Sequence, residues 1–505
     1  MTAFAAAPPQ PDDTSSPAAV RTSSWYPWLG PILVTLIGGW LRFANLGRPE
    51  AVVFDETYYA KDALSLLKFG YEQGAVEDAD DLLLAGDGNI AELEIFTGEP
   101  SFIVHPPVGK WVIAAGEALF GATPFGWRFG VALLGTLTVL LLARVVWNLT
   151  GSPAWGSVAG LLLAIDGMAI ALSRTAVLDG ILAFFVLAGF TAIVADRRWI
   201  RKRGSPNLGW AWWRPWRLVA AASLGLACGV KWSGIWFFAA FAILTVLWEV
   251  ARRRRLDDDW VLAFIKDAIP AAITMLAVGI VVYVASWYGW FASDGAWARD
   301  WAGDGGAWNA LRSLWHYHDE MLGFHTGLNS EHSYQSPAWG WLVQARPTSF
   351  FYESGASGCG SGDCAQEVIA LGNPVIWWAA ILAMLHQGWR WFAARDWRSG
   401  AVLLGVAAGW VPWLFYSERT IFAFYSVVFL PFMIAALSLT LATIANPVGN
   451  ITHRPGPTSR NWRLGLVTAF LLVCVGVSWF FYPIWSAEII ETAAWSNRMW
   501  LPTWI

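Results

Sequence analysis

Long apolar segments recur along the whole of this 505-residue chain and restrict its fold more than any other feature. A helix needs roughly 20 consecutive apolar residues to cross a bilayer. About eleven segments approach that length: 28–44, 127–149, 154–173, 178–195, 218–235, 236–251, 268–291, 374–394, 400–416, 421–443 and 464–485. Charged residues make up only 14% of the chain, against about 25% in soluble proteins. The pattern predicts an all-α polytopic membrane protein.

Basic residues between the predicted spans indicate how the chain is oriented. They are concentrated in 196–204 (DRRWIRKRG), 251–255 (ARRRR) and 453–463 (HRPGPTSRNWR), and as Arg395 and Arg398. All of them fall on one side of the membrane, and the positive-inside rule makes that side the cytoplasm. The N-terminus is then cytoplasmic, and the C-terminal tail, 486–505, lies outside.

Two long loops share the predicted outer face. They run over 45–126 and 292–373, and the short turns 173–180 and 230–234 lie on the same side. Apart from the basic clusters, nearly every ionisable residue beside an apolar segment falls there. Ionisable groups close to a membrane are costly and commonly mark a functional site. We therefore expect an extracytoplasmic active site, formed by one transmembrane domain over 25–505.

The first 24 residues are rich in Pro, Ala and Ser and contain no apolar segment. This composition predicts a disordered cytoplasmic segment. It lacks the basic start and the apolar core of a secretory signal.

The acidic pair Asp55-Glu56, in VVFDETYY, follows the first predicted span. The next residues have helical spacing, and Gly70 is placed to end that helix. Asp55 stands where an N-cap belongs, and acids are favoured in a first helical turn. A carboxylate at the mouth of a membrane cavity also suits a general base that takes a proton from a hydroxyl group. One residue can serve in both roles.

The segment VHPPVGKW (104–111) adds a histidine and a lysine to the same loop. Pro107 suits the start of a helix, and His105 precedes a proline, in an extended conformation that projects from the loop. Lys110 lies in the first turn of an otherwise apolar helix, which is costly unless its amine reaches water or meets an anion.

Further charged side chains occur at the outer ends of the predicted spans and in the second loop. They are Arg42, Arg128, Arg174, Asp179, Lys231 and Arg346. Each alone is explained by snorkelling or by an ion pair. The cations together suit a phosphate group on a lipid, because arginine binds phosphate through two donors and lysine supplies a point charge.

Two of the four cysteines, Cys359 and Cys364, lie in a polar Gly-rich loop, SGCGSGDCAQ. Too few further ligands are nearby for a metal site. A short disulfide loop is favoured if this loop faces an oxidising compartment. No Gly-rich phosphate loop, HExxH or GxSxG motif is present, which argues against a nucleotide cofactor and against those hydrolase classes.

Several segments together resemble the protein O-mannosyltransferase family, whose members have the GT-C fold. They are RFANLGRPEAVVFDETYYAK, FIVHPPVGKWVIAAGEALFG, WRFGVALLGT, ALSRTAVLDG, LGLACGVKWSGIW and HSYQSPAWGWLVQARP, and they follow one another in family order. The segment LGNPVIWW (371–378) is similar to the actinobacterial branch.

The resemblance implies transfer of mannose from a polyprenyl-phosphate mannose to Ser or Thr hydroxyl groups of translocated proteins. It implies that Asp55 is the base, and that Glu56 either positions the acceptor or pairs with a cation such as Arg128. It also implies inversion at the sugar, and the plasma membrane with the Sec translocon as a candidate partner. The residues expected to bind donor or acceptor are Arg42, His105, Lys110, Arg128, Arg174, Asp179, Lys231, His332 and Arg346. No cofactor, metal or nucleic acid is expected, although Asp55-Glu56 is the place where a divalent metal would bind.

Two other functions remain as alternatives. The same chemistry serves a transferase that uses a glycolipid or cell-wall sugar as acceptor. A secondary transporter is the second alternative, but it would require interrupted helices with polar residues near the bilayer midplane.

Overall fold

The computed structural model describes residues 25–202, 209–256, 259–360, 362–416, 418–446 and 457–505. The segment predicted to be disordered, 1–24, lies outside these ranges. In chain order the helices are α1 (Leu29–Phe43), α2 (Glu56–Phe69), α3 (Ala79–Ala85), α4 (Val108–Phe120), α5 (Pro124–Thr150), α6 (Pro153–Ala164), α7 (Gly167–Arg174), α8 (Leu178–Lys202), α9 (Pro215–Val230), α10 (Gly234–Arg254), α11 (Trp260–Ser286), α12 (Tyr288–Ala292), α13 (Ala307–Gly327), α14 (Pro374–Ala394), α15 (Trp397–Trp410), α16 (Leu430–Ala445), α17 (Pro457–Phe481), α18 (Pro483–Ser486) and α19 (Thr492–Ser496).

Within the described ranges, six helices are long and apolar enough to cross a membrane. They are α5, α8, α10, α11, α17 and α15 with the 3₁₀ turn that follows it. A seventh span forms if α6 and α7, which are bent by 61° relative to each other, are taken together. Helices α9 and α16 are apolar but shorter. The structure is thus a mostly helical membrane protein, and the count of eleven spans stays a prediction.

Two predicted spans differ from the observed helices. The segment predicted as 154–173 breaks at Ile165, and Asp166 starts the next helix by accepting a hydrogen bond from the Ala169 N–H at 3.1 Å. The segment predicted as 421–443 becomes helical only at Leu430, after a 3₁₀ turn over Ala423–Val428. A proline has no N–H to donate, so Pro431 fits the first turn of α16 but not the interior of a longer helix.

Two small antiparallel sheets occur in the segments predicted to be the outer loops and tail. Strand β1 (Gln73–Ala75) pairs with β2 (Phe96–Pro100), and β4 (Cys364–Ala370) lies between β3 (Thr348–Ser354) and β5 (Ile490–Glu491). The all-α prediction missed these strands because they are short and lack a sustained alternation of apolar residues. Cys359 and Cys364 form a disulfide bond at the turn between β3 and β4.

The helices that carry the DETYY and HPP motifs pack tightly at one end of the bundle. Helix α2 ends at Gly70, whose φ of +83° is the left-handed conformation that glycine adopts without strain. Helix α4 lies so close to α5 that a Cβ at Gly116 would be 2.3 Å from the carbonyl oxygen of Gly126.

Candidate active site

A cavity of about 230 Å³ lies where the predicted outer ends of several helices meet. Its charged and titratable lining comes from the loop before α4, the start of α8, the turn between α9 and α10, helix α13 and the segment after α15. These side chains are His105, Asp179, Lys231, His325, Tyr416, Arg419 and Tyr425. Five distant parts of the sequence therefore contribute charged groups or imidazoles to one space.

A buried ion pair forms one wall of the cavity. The Lys231 ammonium lies 2.7 Å from the Asp179 carboxylate and 5.0 Å from the centre of the Tyr425 ring. Lys231 follows directly after the last residue of α9, and Asp179 lies in the first turn of α8. The two helix ends hold the pair in place, and the lysine retains donor capacity on the side of the cavity because an ammonium has three N–H groups.

Asp55 lies beside this ion pair. It occupies the N-cap position of α2 as predicted, but its side chain makes no capping hydrogen bond. Burial raises the pKa of Asp55 from 3.8 to about 6, the charge of Lys231 opposes that shift, and the charge of Asp179 adds to it. A hydrogen bond from Tyr59 also favours the ionised form. The carboxylate is thus ionised at neutral pH and has a pKa suited to accepting a proton.

Two histidines that line the cavity stack on each other. The rings of His105 and His325 have centroids 5.1 Å apart, and burial, with the nearby charge of Lys231, lowers the pKa of His105 well below its usual value. The buried Nδ1 atom of His105 has no hydrogen-bond partner. His105 is therefore neutral and offers a free polar atom to a sugar hydroxyl group.

Arg419 was missed by sequence reasoning. Its Nη2 donates to the Nδ1 of His325 at 3.3 Å, and the Nε2 of that ring lies 2.7 Å from the Val104 carbonyl oxygen. The Nε of Arg419 has no hydrogen-bond partner. A signal was present, since Arg419 falls in the turn between the predicted spans 400–416 and 421–443, on the predicted outer face.

Glu56, the neighbour of Asp55, is fully buried and faces away from the cavity. Its two carboxylate oxygens accept hydrogen bonds from Arg128 at 2.8 Å each, and it also accepts from the backbone N–H groups of Val53 and Ala176. The remaining donors of Arg128 bind carbonyl oxygens of Leu46, Pro49 and Ala51. Of the two roles considered for Glu56, the geometry favours the pairing with Arg128.

Arg42 and Arg174 join helices to one another. Arg42 donates to the Ser173 hydroxyl and to carbonyl oxygens of α1 and α6. Arg174 donates to carbonyl oxygens at the end of α1 and to that of Ser486. Both side chains are buried, and neither lines the cavity around Lys231. Sequence position placed them near the site but could not show that backbone oxygens take up their donors.

Three further predicted residues also lie outside the cavity lining. Lys110 is buried and paired with Glu72. Arg346 donates to carbonyl oxygens of the C-terminal residues Thr503 and Ile505. His332 is exposed and packs against Phe422 at 5.0 Å between ring centres. Of the predicted site residues, His105, Asp179 and Lys231 line the cavity, and Asp55 lies outside the lining but interacts electrostatically with Lys231 and Asp179.

Over the described ranges, no three His, Cys, Asp or Glu side chains are grouped so that they could hold a metal ion. Both oxygens of Glu56 are already committed to Arg128 and to backbone donors. Transfer without a metal stays a prediction.

Part of the cavity wall is apolar and contains indole rings. Trp232, Trp236 and Trp413 line it beside Ile235 and Leu322. Indole rings are common at the membrane interface, where their apolar body meets lipid. A carboxylate of raised pKa, two cations and an apolar rim together suit a reaction in which the leaving group is a phosphate attached to a lipid.

Two family models match this chain. The model for dolichyl-phosphate-mannose-protein mannosyltransferase covers residues 32–293, and the model for the C-terminal four-helix membrane region of protein O-mannosyltransferase covers residues 310–504. The first match contains Asp55, His105, Asp179 and Lys231, and the second contains Arg419.

Curated relatives of similar length share a third of their residues with this chain. The polyprenol-phosphate-mannose–protein mannosyltransferase of Mycobacterium tuberculosis is 34% identical, over 94% of this chain and 92% of the relative. The enzyme of the same name from Mycolicibacterium smegmatis is 33% identical, over 94% and 93%.

Solved structures show the same fold at low sequence identity. A chain of the Saccharomyces cerevisiae Pmt1-Pmt2 protein O-mannosyltransferase complex has a TM-score of 0.72 at 14% identity, with 96% of this chain and 93% of that chain covered. ArnT from Cupriavidus metallidurans has a TM-score of 0.51 at 16% identity, with 90% and 74% covered. The chain therefore belongs to the dolichyl-phosphate-mannose-protein mannosyltransferase family, and it is a membrane mannosyltransferase with the GT-C fold.

Proposed function

We propose that this enzyme transfers mannose from a polyprenyl-phosphate mannose to Ser or Thr hydroxyl groups of translocated proteins, at the outer face of the plasma membrane. The observation that carries the proposal is the position of Asp55. Its carboxylate is free of any capping bond, has a pKa raised to about 6, and is close enough to interact electrostatically with Lys231 and Asp179, which line the cavity. The donor is supported by the relatives, which are polyprenol-phosphate-mannose–protein mannosyltransferases.

The reaction is a single displacement. The acceptor oxygen forms a bond to the anomeric carbon while the bond from that carbon to the phosphate oxygen breaks, and Asp55 takes the hydroxyl proton. The leaving polyprenyl phosphate carries negative charge, which Lys231 and Arg419 stabilise. Because the acceptor oxygen attacks the anomeric carbon from the side opposite the leaving phosphate, the configuration at that carbon is inverted. A retaining mechanism would need a second carboxylate as nucleophile, and Asp179, the nearest candidate, is held by Lys231.

The orientation is supported by the two ends of α8 and α10. Each helix begins at the cavity, with Asp179 in the first turn of α8 and Lys231 just before α10, and each ends in arginines. Basic residues favour the cytoplasmic side. Asp55 then faces outwards, where a protein leaving the Sec translocon would present its hydroxyl groups.

The proposal is tested with purified enzyme in liposomes, labelled polyprenyl-phosphate mannose and paired acceptors. A peptide with one Thr should become mannosylated, and the same peptide with Ala in place of Thr should not. Nuclear magnetic resonance of the product should show the anomeric configuration opposite to that of the donor. Labelling of a glycolipid acceptor but not of the peptide would instead establish the alternative transferase, and uptake of labelled sugar without transfer would establish a transporter.

Sidedness is tested separately. A single cysteine at exposed Asp81, in the 45–126 loop, should react with an impermeant maleimide in intact cells. A cysteine at exposed Arg254 should react only after the membrane is opened. The reverse pattern would overturn the outward-facing site.

A further inference from the structure

A second cavity, of about 340 Å³, lies between the C-terminal ends of α8 and α10. Its ionisable lining consists of two carboxylates and five guanidinium groups: Asp196, Glu249, Arg197, Arg201, Arg214, Arg252 and Arg255. The reaction proposed above uses none of them. The excess of positive charge raises the question of what neutralises it.

The two carboxylates are already paired with Arg214, Arg252 and Arg253. Asp196 is ion-paired with the buried Arg214. Glu249 accepts hydrogen bonds from Arg252 and from the buried Arg253. These pairs connect α8, α10 and the start of α9, and they leave no described carboxylate for the other three arginines of the cavity.

The side chains of Arg197, Arg201 and Arg255 have no hydrogen bond or ion pair within the described ranges. The guanidinium carbon of Arg197 lies 4.8 Å from the Trp248 ring centre and 4.1 Å from that of Trp397. Its buried Nε has no partner, and Arg201 and Arg255 are close enough to repel its charge. The neighbouring Asp257 and Asp258 lie outside the described residues. Three like charges facing one cavity are stabilised if an anion lies between them.

This cavity is at the opposite end of the bundle from Asp55. On α8, Asp179 lines the first cavity and Arg197 lines the second, and at 1.5 Å per residue the helix separates them by roughly 27 Å. That distance is close to the thickness of the hydrocarbon core of a bilayer. The second cavity therefore opens at the other membrane face.

We infer that this cavity binds the phosphate of an anionic phospholipid head group in the leaflet opposite the active site. Arginines bind phosphate oxygens through paired N–H donors, and basic pockets between transmembrane helices hold such head groups. Ile200, Leu256 and Trp248 line the same cavity and provide apolar surface for the glycerol and acyl chains. A free phosphate ion has no apolar groups that could contact this surface.

The test uses purified full-length protein in detergent and measures binding by native mass spectrometry and by thermal shift. The probes are phosphatidylglycerol, zwitterionic phosphatidylcholine of the same chains, and inorganic phosphate. The variant is Arg201→Gln with Arg255→Gln, because both side chains are exposed and their loss should not disturb folding. The control is Arg254→Gln, which removes an exposed charge from the same basic segment but outside the cavity.

Phosphatidylglycerol should remain bound to the parent and to Arg254→Gln, and the double variant should bind it about 30-fold more weakly. Equal binding of phosphatidylcholine, or equal weakening in Arg254→Gln, would show diffuse surface attraction and overturn the site. An equal thermal shift with inorganic phosphate alone would overturn the assignment to a lipid. The site does not depend on the proposed function, so Asp55→Asn should bind phosphatidylglycerol as the parent does.

Discussion

Arg128 holds Glu56 through two hydrogen bonds of 2.8 Å, while Asp55, the adjacent residue, makes no capping bond and interacts with Tyr59 and with the charge of Lys231. The chain direction at the start of α2 turns one carboxylate into the protein interior and the other towards Lys231. The buried pair fixes the segment that carries Asp55, because Arg128 also binds carbonyl oxygens of residues 46–51. Two neighbouring acids thus have a structural and a chemical role, respectively.

Removal of the Glu56 carboxylate should lower the unfolding free energy of the protein. Glu56→Ala leaves the Arg128 charge buried without a carboxylate to balance it, which costs about 3–5 kcal/mol of unfolding free energy. Thermal unfolding in detergent, followed by intrinsic fluorescence, should show a clear fall in the midpoint. Glu56→Ala with Arg128→Met should recover part of that loss, and no recovery would show that the pair is not the source of the stability.

The sequence allowed prediction of the membrane class, the α2 and α4 helices and the position of Asp55, because these depend on local composition and spacing. It could not show which cations reach the cavity. Arg174 and Arg346 lie in motifs that resemble the family, yet carbonyl oxygens from distant parts of the chain take up their donors. Arg419 went unnoticed although its place in an outer turn between two predicted spans was visible in the sequence. Tertiary contacts decide such assignments.

The pH dependence of transfer should follow the Asp55 carboxyl group. Its pKa is raised to about 6, chiefly by burial, and only the ionised form can accept a proton. The rate with saturating donor should be constant above pH 7 and fall about tenfold per unit well below pH 6. A profile measured from pH 4.5 to 8 checks this. A rate independent of pH across that range would contradict the assignment.

Asp55→Asn should also make the protein more stable at neutral pH. The raised pKa means that the ionised carboxylate is less favourable in the folded state than in the unfolded state, where its pKa is 3.8. The gain, on the order of 2 kcal/mol, should be present above pH 6 and disappear as the pH falls below about 4, where the carboxyl group is protonated in both states. Unfolding midpoints at pH 7.5 and pH 4 provide the comparison. A lower midpoint for the variant at pH 7.5 would show that Asp55 has a structural role.

Arg419 and Arg346 should differ in their effect on the donor. Arg419→Met removes a cation from the cavity, so the KM for lipid-linked mannose should rise roughly tenfold or more. Arg346→Met is the matched control, because its guanidinium group binds carbonyl oxygens of the C-terminal tail and not the cavity. Initial rates against donor concentration separate the two. Equal KM values for both variants would remove Arg419 from the donor site.

The role of Asp55 as the general base is tested most directly by the single-turnover rate of mannose transfer in the Asp55→Asn variant. The rate is measured with preloaded donor and saturating Thr peptide. Asn keeps the size of the side chain but cannot accept the proton. We predict a rate at least about a hundredfold below that of the parent, with donor binding unchanged and with the Asp81→Asn control, an exposed acid of the same loop, fully active. Transfer by Asp55→Asn at the parental rate would show that Asp55 is not the general base.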